Sequence, residues 1–211
     1  PGPMSEQTAS DASESAPGVE RTSVLALDEL ETHDVRRALV LLAGLRSRTL
    51  APLVRSAAVP GGVALTHRVP GDAVGLASLR ADGPLRAGHV LAVGVAVLEA
   101  LVTLHAARLA HGRVDGESVL VAPDGSVVLA ATGSAWAAAP GEPGGPSPVD
   151  DVAAAGELLR DLLGPGSAPA PLVVAVVRAV DPDLALRPDA AALLAALHRC
   201  GRPESLLDAL W

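Results

Sequence analysis

The 211-residue chain contains no lysine, asparagine, isoleucine, phenylalanine or tyrosine, and two tryptophans are its only aromatic residues. The missing types are those whose codons begin with two A or T bases, so a GC-rich bacterial genome is the expected source. Without lysine, all 16 basic residues are arginine, which excludes a Schiff base and a P-loop lysine. A tyrosine nucleophile and an RNA platform of stacked aromatics are excluded in the same way. The single cysteine, Cys200, rules out an intrachain disulfide and a cysteine-rich zinc site. It reads as an ordinary packing or surface residue. A net charge of −8 argues against nucleic acid and anionic membrane as partners. Long apolar runs are also scarce. The longest, His89 to Ala110, is broken by Glu99 and His105 and falls short of the ~18 uninterrupted apolar residues of a membrane span. No basic start followed by an apolar run marks a signal peptide. The expectation is a soluble, cytoplasmic protein.

What remains is 49% hydrophobic, enough for a sizeable core. Pro1-Gly2-Pro3 reads as a protease-cleavage remnant, and Ser5 to about Thr22 as a disordered acidic tail of Ser, Ala, Glu and Asp. Apolar residues at i, i+3, i+4 predict helices over Asp34–Leu45, Leu91–Leu109, Val152–Leu163 and Asp189–Leu197. The second is apolar nearly all round and therefore central. Asp150 or Asp151 is placed to cap the third, and Pro188 falls in the first turn of the fourth. Leu53–Val59 and Val63–Val69 read as a hairpin about Pro60-Gly61-Gly62. Val119–Val121 and Val127–Leu129 read as a second, with Asp124-Gly125 as its turn signal. From Ala138 to Pro148 the chain is an irregular Gly/Pro loop.

From about Asp34 to Leu197 this order of elements, with its motifs, resembles a protein kinase whose catalytic residues have been replaced. Leu45 to Val54 (LRSRTLAPLV) is similar to the stretch between the regulatory helix and the fourth strand. Val63–Val69 resembles the fifth strand and hinge, and Val90–His105 the long helix ending in "LH". His111-Gly-Arg-Val-Asp-Gly-Glu-Ser-Val-Leu-Val121 lies where kinases have H-R-D-L-K-P-E-N-V-L-L, and Ala131-Thr132-Gly133 falls on D-F-G. Asp151-Val-Ala-Ala-Ala-Gly156 resembles D-V-[YW]-[SA]-x-G, and Asp181 to Pro188 the "DPxxRP" segment. The resemblance implies an α+β, kinase-like fold with a mostly helical C-terminal lobe. With the cleavage remnant and disordered acidic tail taken as residues 1–22, it implies a reduced N-terminal β lobe of short strand, helix and hairpin over 23–70 and the helical lobe over 71–211. The strand that should carry the ATP lysine is Ser23–Leu27, with no Gly-rich flap before it, and Ala38 falls near the position of that lysine's Glu partner.

Phosphoryl transfer needs a base, metal ligands and a cation on the phosphates. Arg113 stands at the base position, Asp115 at the lysine two residues on, Ser118 at the metal-binding amide and Ala131 at the metal-binding Asp. The implied protein is a catalytically inactive pseudokinase without metal or cofactor, expected to bind neither ATP nor Mg²⁺. It would work by binding another protein, or a second copy, in a bacterial regulatory or assembly pathway. In the family the carboxylate at Asp151 accepts backbone N–H groups from the His111 loop, and Arg187 pairs with a Glu for which only Glu142 or Asp150 is offered here. Two other readings remain open. The crowding of His111, Arg113, Asp115 and Glu117 in one loop could serve a different transfer chemistry on the same fold, or the chain could be a non-catalytic stabilising subunit. Trp136 is either an interface anchor or the filling of the vacated cleft. Val63 and Leu65, on a hairpin with few charged guards, are expected at an open sheet edge covered by a partner strand.

Overall fold

Strand β1 (Val19–Ala26) is followed by helix α1 (Thr32–Gly44) and the hairpin strands β2 (Leu53–Val59) and β3 (Gly62–Val69). This computed structural model describes residues 18–26, 32–79, 85–136, 138, 143–164 and 168–207. The hairpin turns where the glycines predict it: Gly61, at φ +72°, adopts the left-handed conformation that a Cβ disfavours. A Cβ at Gly62 would collide with the Leu25 carbonyl of β1. The three strands form an antiparallel sheet in the order β1-β3-β2. Alternation puts Leu25, Leu53 and Leu65 on the buried face. Helix α1 contributes Val35, Ala38, Leu39 and Leu42, spaced as one helical face, to the same core.

Two expectations are corrected here. The first strand starts at Val19, not Ser23, because its backbone pairs with the whole of β3, from Val19 opposite Val69 to Ala26 opposite Gly62. Main-chain pairing of that kind needs no apolar side chains, so the polar run Glu20-Arg21-Thr22 hid it; Leu27 lies outside the described residues. Secondly, β3 is the central strand, paired on both sides, so Val63 and Leu65 do not stand on an open edge. Leu65 is fully buried and Val63 half-buried against the core. The open edges belong to β1 and β2.

A short strand β4 (Val74–Gly75) and the single turn α2 (Leu76–Leu79) lead into the central helix α3 (Ala87–Ala106). Strands β5 (Val119–Val121) and β6 (Val127–Leu129) match the predicted second hairpin, and β4 adds to it in the order β4-β5-β6. Helices α4 (Pro148–Leu163), α5 (Ala170–Ala179) and α6 (Ala190–Cys200) complete the α+β fold. α3 packs on α4, α6 and β6. Among the described residues it is the one helix long and apolar enough to cross a membrane, and 56% of its most apolar window is buried in the fold.

The caps differ from expectation. Ser147, not Asp150 or Asp151, caps α4: its Oγ accepts from the Asp150 N–H at 3.2 Å and donates to the Asp150 carboxylate at 2.6 Å. Asp189 caps α6 through the Ala192 N–H at 2.7 Å, which leaves Pro188 outside the helix. Helix α5 is not anticipated by its Val-rich sequence. Packing decides its conformation, with Leu172, Ala175, Val176 and Ala179 buried at helical spacing.

Candidate functional site

The loop between α3 and β5 is organised by one carboxylate. Asp151, in the first turn of α4 and 2% exposed, accepts the His111 N–H at 2.7 Å and the Gly112 N–H at 2.9 Å. The Nε2 of His105, at the end of α3, donates to the same carboxylate at 3.0 Å. The end of α3 and the loop that follows it are thus tied to the distant start of α4 by a single side chain, as the resemblance implied for the His111 loop. His105 was not singled out from the sequence; its place in the last turn of a buried helix is the signal that could have found it.

His111 is fully buried with both ring nitrogens engaged. The Arg113 N–H donates to Nδ1 at 3.2 Å, so the ring proton sits on Nε2, which donates to the Ala130 carbonyl at 2.8 Å. Burial pushes its pKa below the usual histidine value, with Asp151 opposing in part. It is a neutral brace between the loop and β6.

Arg113 and Asp115 form an ion pair, Nε to Oδ2 at 2.6 Å, with side chains 57% and 38% exposed. In water such a pair contributes little by charge alone, about 0–1 kcal/mol. Asp115 does more through its second oxygen, which accepts the Glu117 N–H at 3.0 Å and the Ser118 N–H at 2.8 Å. Ser118 Oγ accepts the Asp115 N–H and donates to the Asp115 carbonyl, both at 2.9 Å. Burial pushes the Asp115 carboxyl up, but the bonds from Arg113 and Ser118 outweigh it and hold the group below the ordinary aspartate value. Asp115 therefore holds the turn as well as pairing with Arg113. Glu117 is exposed.

Ala131, Thr132 and Gly133 follow β6. Ala131 has φ +60°, unusual for a residue with a Cβ, and Gly133 has φ +82°. The Gly133 N–H donates to the His111 carbonyl at 3.2 Å, joining this turn to the loop. Trp136 is fully buried, its Nε1 donating to the Ala110 carbonyl at 3.2 Å. Its ring lies between two left-handed glycines: an added Cβ would come within 2.9 Å of it at Gly112 and 3.2 Å at Gly133. Of the two roles open to Trp136, an exposed anchor does not fit.

A cavity of about 440 Å³ opens beside the loop, walled by Arg113, Asp115, Gly144, Pro146, Asp150 and Asp151 among others. Arg187 takes no part in the site. Its Nε donates to the Asp181 carbonyl at 2.6 Å within its own turn, while Asp150 bonds Ser147; Glu142 lies outside the described residues. Among the described residues no group of three or more His, Cys, Asp or Glu is arranged to hold a metal ion. A second, smaller cleft of about 90 Å³ lies between the two sheets, with Arg21, Ser23, His67, Glu117 and Ala131 in its walls. The sequence reading missed it, although a histidine on the inward, otherwise apolar face of β3 is a signal. Compared with protein-family models and with curated proteins, the chain matches none of either.

Proposed function

We propose that the chain is a catalytically inactive, kinase-like module that serves as a protein-binding regulatory or scaffold unit in a bacterial pathway. The observation that carries this reading is the loop from His111 to Ser118, whose polar groups are spent on holding its own shape. His111 has both ring nitrogens bonded, and Asp115 is occupied by Arg113, Glu117 and Ser118. A phosphoryl-transfer site instead needs a base facing the acceptor and carboxylates facing a metal. The order strand, helix, hairpin, long helix, hairpin, helices, and the anchoring of the loop by Asp151, support the kinase-like half of the reading. The inter-sheet cleft supports the inactive half, because about 90 Å³ is well below the roughly 300–1,000 Å³ of small-molecule sites. A different transfer chemistry on this loop would need His111 or Asp115 released from those bonds.

Thermal melting with millimolar ATP and MgCl₂ tests it. The expected midpoint is that of the protein alone. Nucleotide at 100 times its Kd would add ~2.7 kcal/mol, and a clear upward shift overturns the reading. The protein-binding half is tested by affinity capture from the source cells, with Arg113→Glu reversing the loop's exposed charge. Loss of one defined partner from the variant supports docking at this loop; identical recovery places the interface elsewhere.

A further inference from the structure

Among the described residues, three buried polar side-chain atoms lack any hydrogen-bond partner: Ser23 Oγ, His67 Nε2 and Thr132 Oγ1. Such atoms are costly to bury and few in a native fold. Their placement is not random. Ser23 and His67 both line the cleft between the sheets, and Thr132 follows the lining residue Ala131. Register explains the convergence: on β1, Arg21 and Ser23 share the inward face and stand opposite His67 and Leu65 of β3. His67 is 2% exposed. Arg21 reaches across the mouth, one guanidinium nitrogen donating to the Ala73 carbonyl. That bond uses one of the five donors of the side chain. Ala131, on the opposite wall, is held in its left-handed conformation, a strain that collects at binding sites.

We propose that this cleft binds a small oxyanion, held by the Arg21 guanidinium, the Ser23 hydroxyl and the His67 imidazole. The three groups are all potential donors, and a ligand with several acceptor oxygens satisfies two orphaned atoms at once. A volume of about 90 Å³ suits a free anion and excludes a nucleotide, so the site is independent of the inactive-kinase reading and can fail separately from it.

The charges around His67 set the pH dependence. Burial, and then the neighbouring His111, lower the His67 pKa from 6.5 to about 4, so the ring is neutral in the empty cleft. Arg21 at the mouth also disfavours its cation, whereas Glu117, on the loop side of the cleft, favours it. An anion in the cleft favours the imidazolium, so binding tightens as pH falls from 7 towards 5.

Sulfate is the probe, because its charge is constant over that range, with sodium chloride at matched ionic strength as control. The readout is the His67 ring ¹⁵N resonances, since sulfate raises melting temperatures by exclusion without binding. Saturable shifts and a raised His67 pKa are expected with sulfate and not with chloride. Arg21→Met should weaken binding at least tenfold and Ser23→Ala severalfold. Ser23→Ala also removes an orphaned hydroxyl, so its fold should be no less stable than wild type, which separates lost binding from lost structure. Absence of a saturable response at pH 5.5 in a folded protein overturns the proposal. So does saturable sulfate binding that survives Arg21→Met, which would place the anion outside the cleft.

Discussion

At the scale of single residues, Asp151 and Asp115 look alike in sequence and differ in what they hold. Asp151→Ala strands two backbone N–H groups and the His105 ring in a buried place, with an expected loss of about 3–5 kcal/mol. Asp115→Ala releases a half-exposed turn whose N–H groups can turn to water, with an expected loss of about 1–2 kcal/mol. Urea denaturation of the two variants tests the order; equal losses would mean that the Asp151 bonds do not form. His67 provides a pH signature. The unfolded ring takes a proton near 6.5 and the folded ring near 4, so between those values acid favours unfolding. Above about 6.5 both states are neutral and stability is at its full value; the penalty grows as pH falls towards 4, on the order of 3 kcal/mol at most. His111, whose pKa is also lowered, acts in the same direction. Denaturation curves from pH 8 to pH 4 should show the decline, and His67→Gln should remove part of it. The role of Asp151 as loop anchor was legible in the sequence only through a motif, since the bonds join residues 40 positions apart. The orphaned atoms at Ser23 and His67 were not legible at all, because being unpaired is a property of the surroundings rather than of the residue.

At the scale of elements, close helix packing is set by glycines. Gly156 on α4 faces α5, where a Cβ would stand 2.7 Å from Ala179 Cβ and 2.9 Å from Val180 Cγ1. Gly94 on α3 faces Leu197 Cδ1 at 2.7 Å and Leu159 Cδ2 at 3.1 Å, which are the ends of flexible side chains. Both glycines would gain about 1 kcal/mol of helix propensity as alanine. Only at Gly156 is the obstacle a short side chain that cannot swing away, so Gly156→Ala should cost a net ~1–2 kcal/mol and Gly94→Ala should be near neutral. Chemical denaturation decides. A larger loss at Gly94 would mean that the leucines around α3 have no room to move. The elements themselves were largely readable: Asp124-Gly125 between two Val/Leu triplets defines β5 and β6, and the period of Val35, Ala38, Leu39 and Leu42 defines the buried face of α1. Helix α5 escaped because Val173, Val174 and Val177 are the wrong residues for a helix on propensity, and what overrules them is a neighbour supplied by distant sequence. The central place of β3 escaped for a related reason, since pairing partners follow from topology and not from the strand's own composition.

At the scale of the whole molecule, burial is uneven. Most of β1 and β2 is exposed, whereas α3 buries residues along its entire length. Opening free energies follow burial, so hydrogen exchange should find the α3 amides protected up to the global limit and the β1 and β2 amides exchanging through smaller openings. Equal protection in both would mean that the two sheets and the helices unfold as one unit. Trp136, buried between Gly112 and Gly133, has a further, optical consequence. With no phenylalanine or tyrosine in the chain, the near-ultraviolet circular dichroism comes from two indoles alone. The ring of Trp136 sits in a dry, asymmetric setting at the junction of the loops that Asp151 and His111 brace. The near-ultraviolet band therefore carries the state of that junction free of tyrosine and phenylalanine signals, and a Trp211→Leu variant leaves Trp136 as its sole source. The far-ultraviolet band follows the helices, so a single instrument can separate loosening of the loops from melting of the fold.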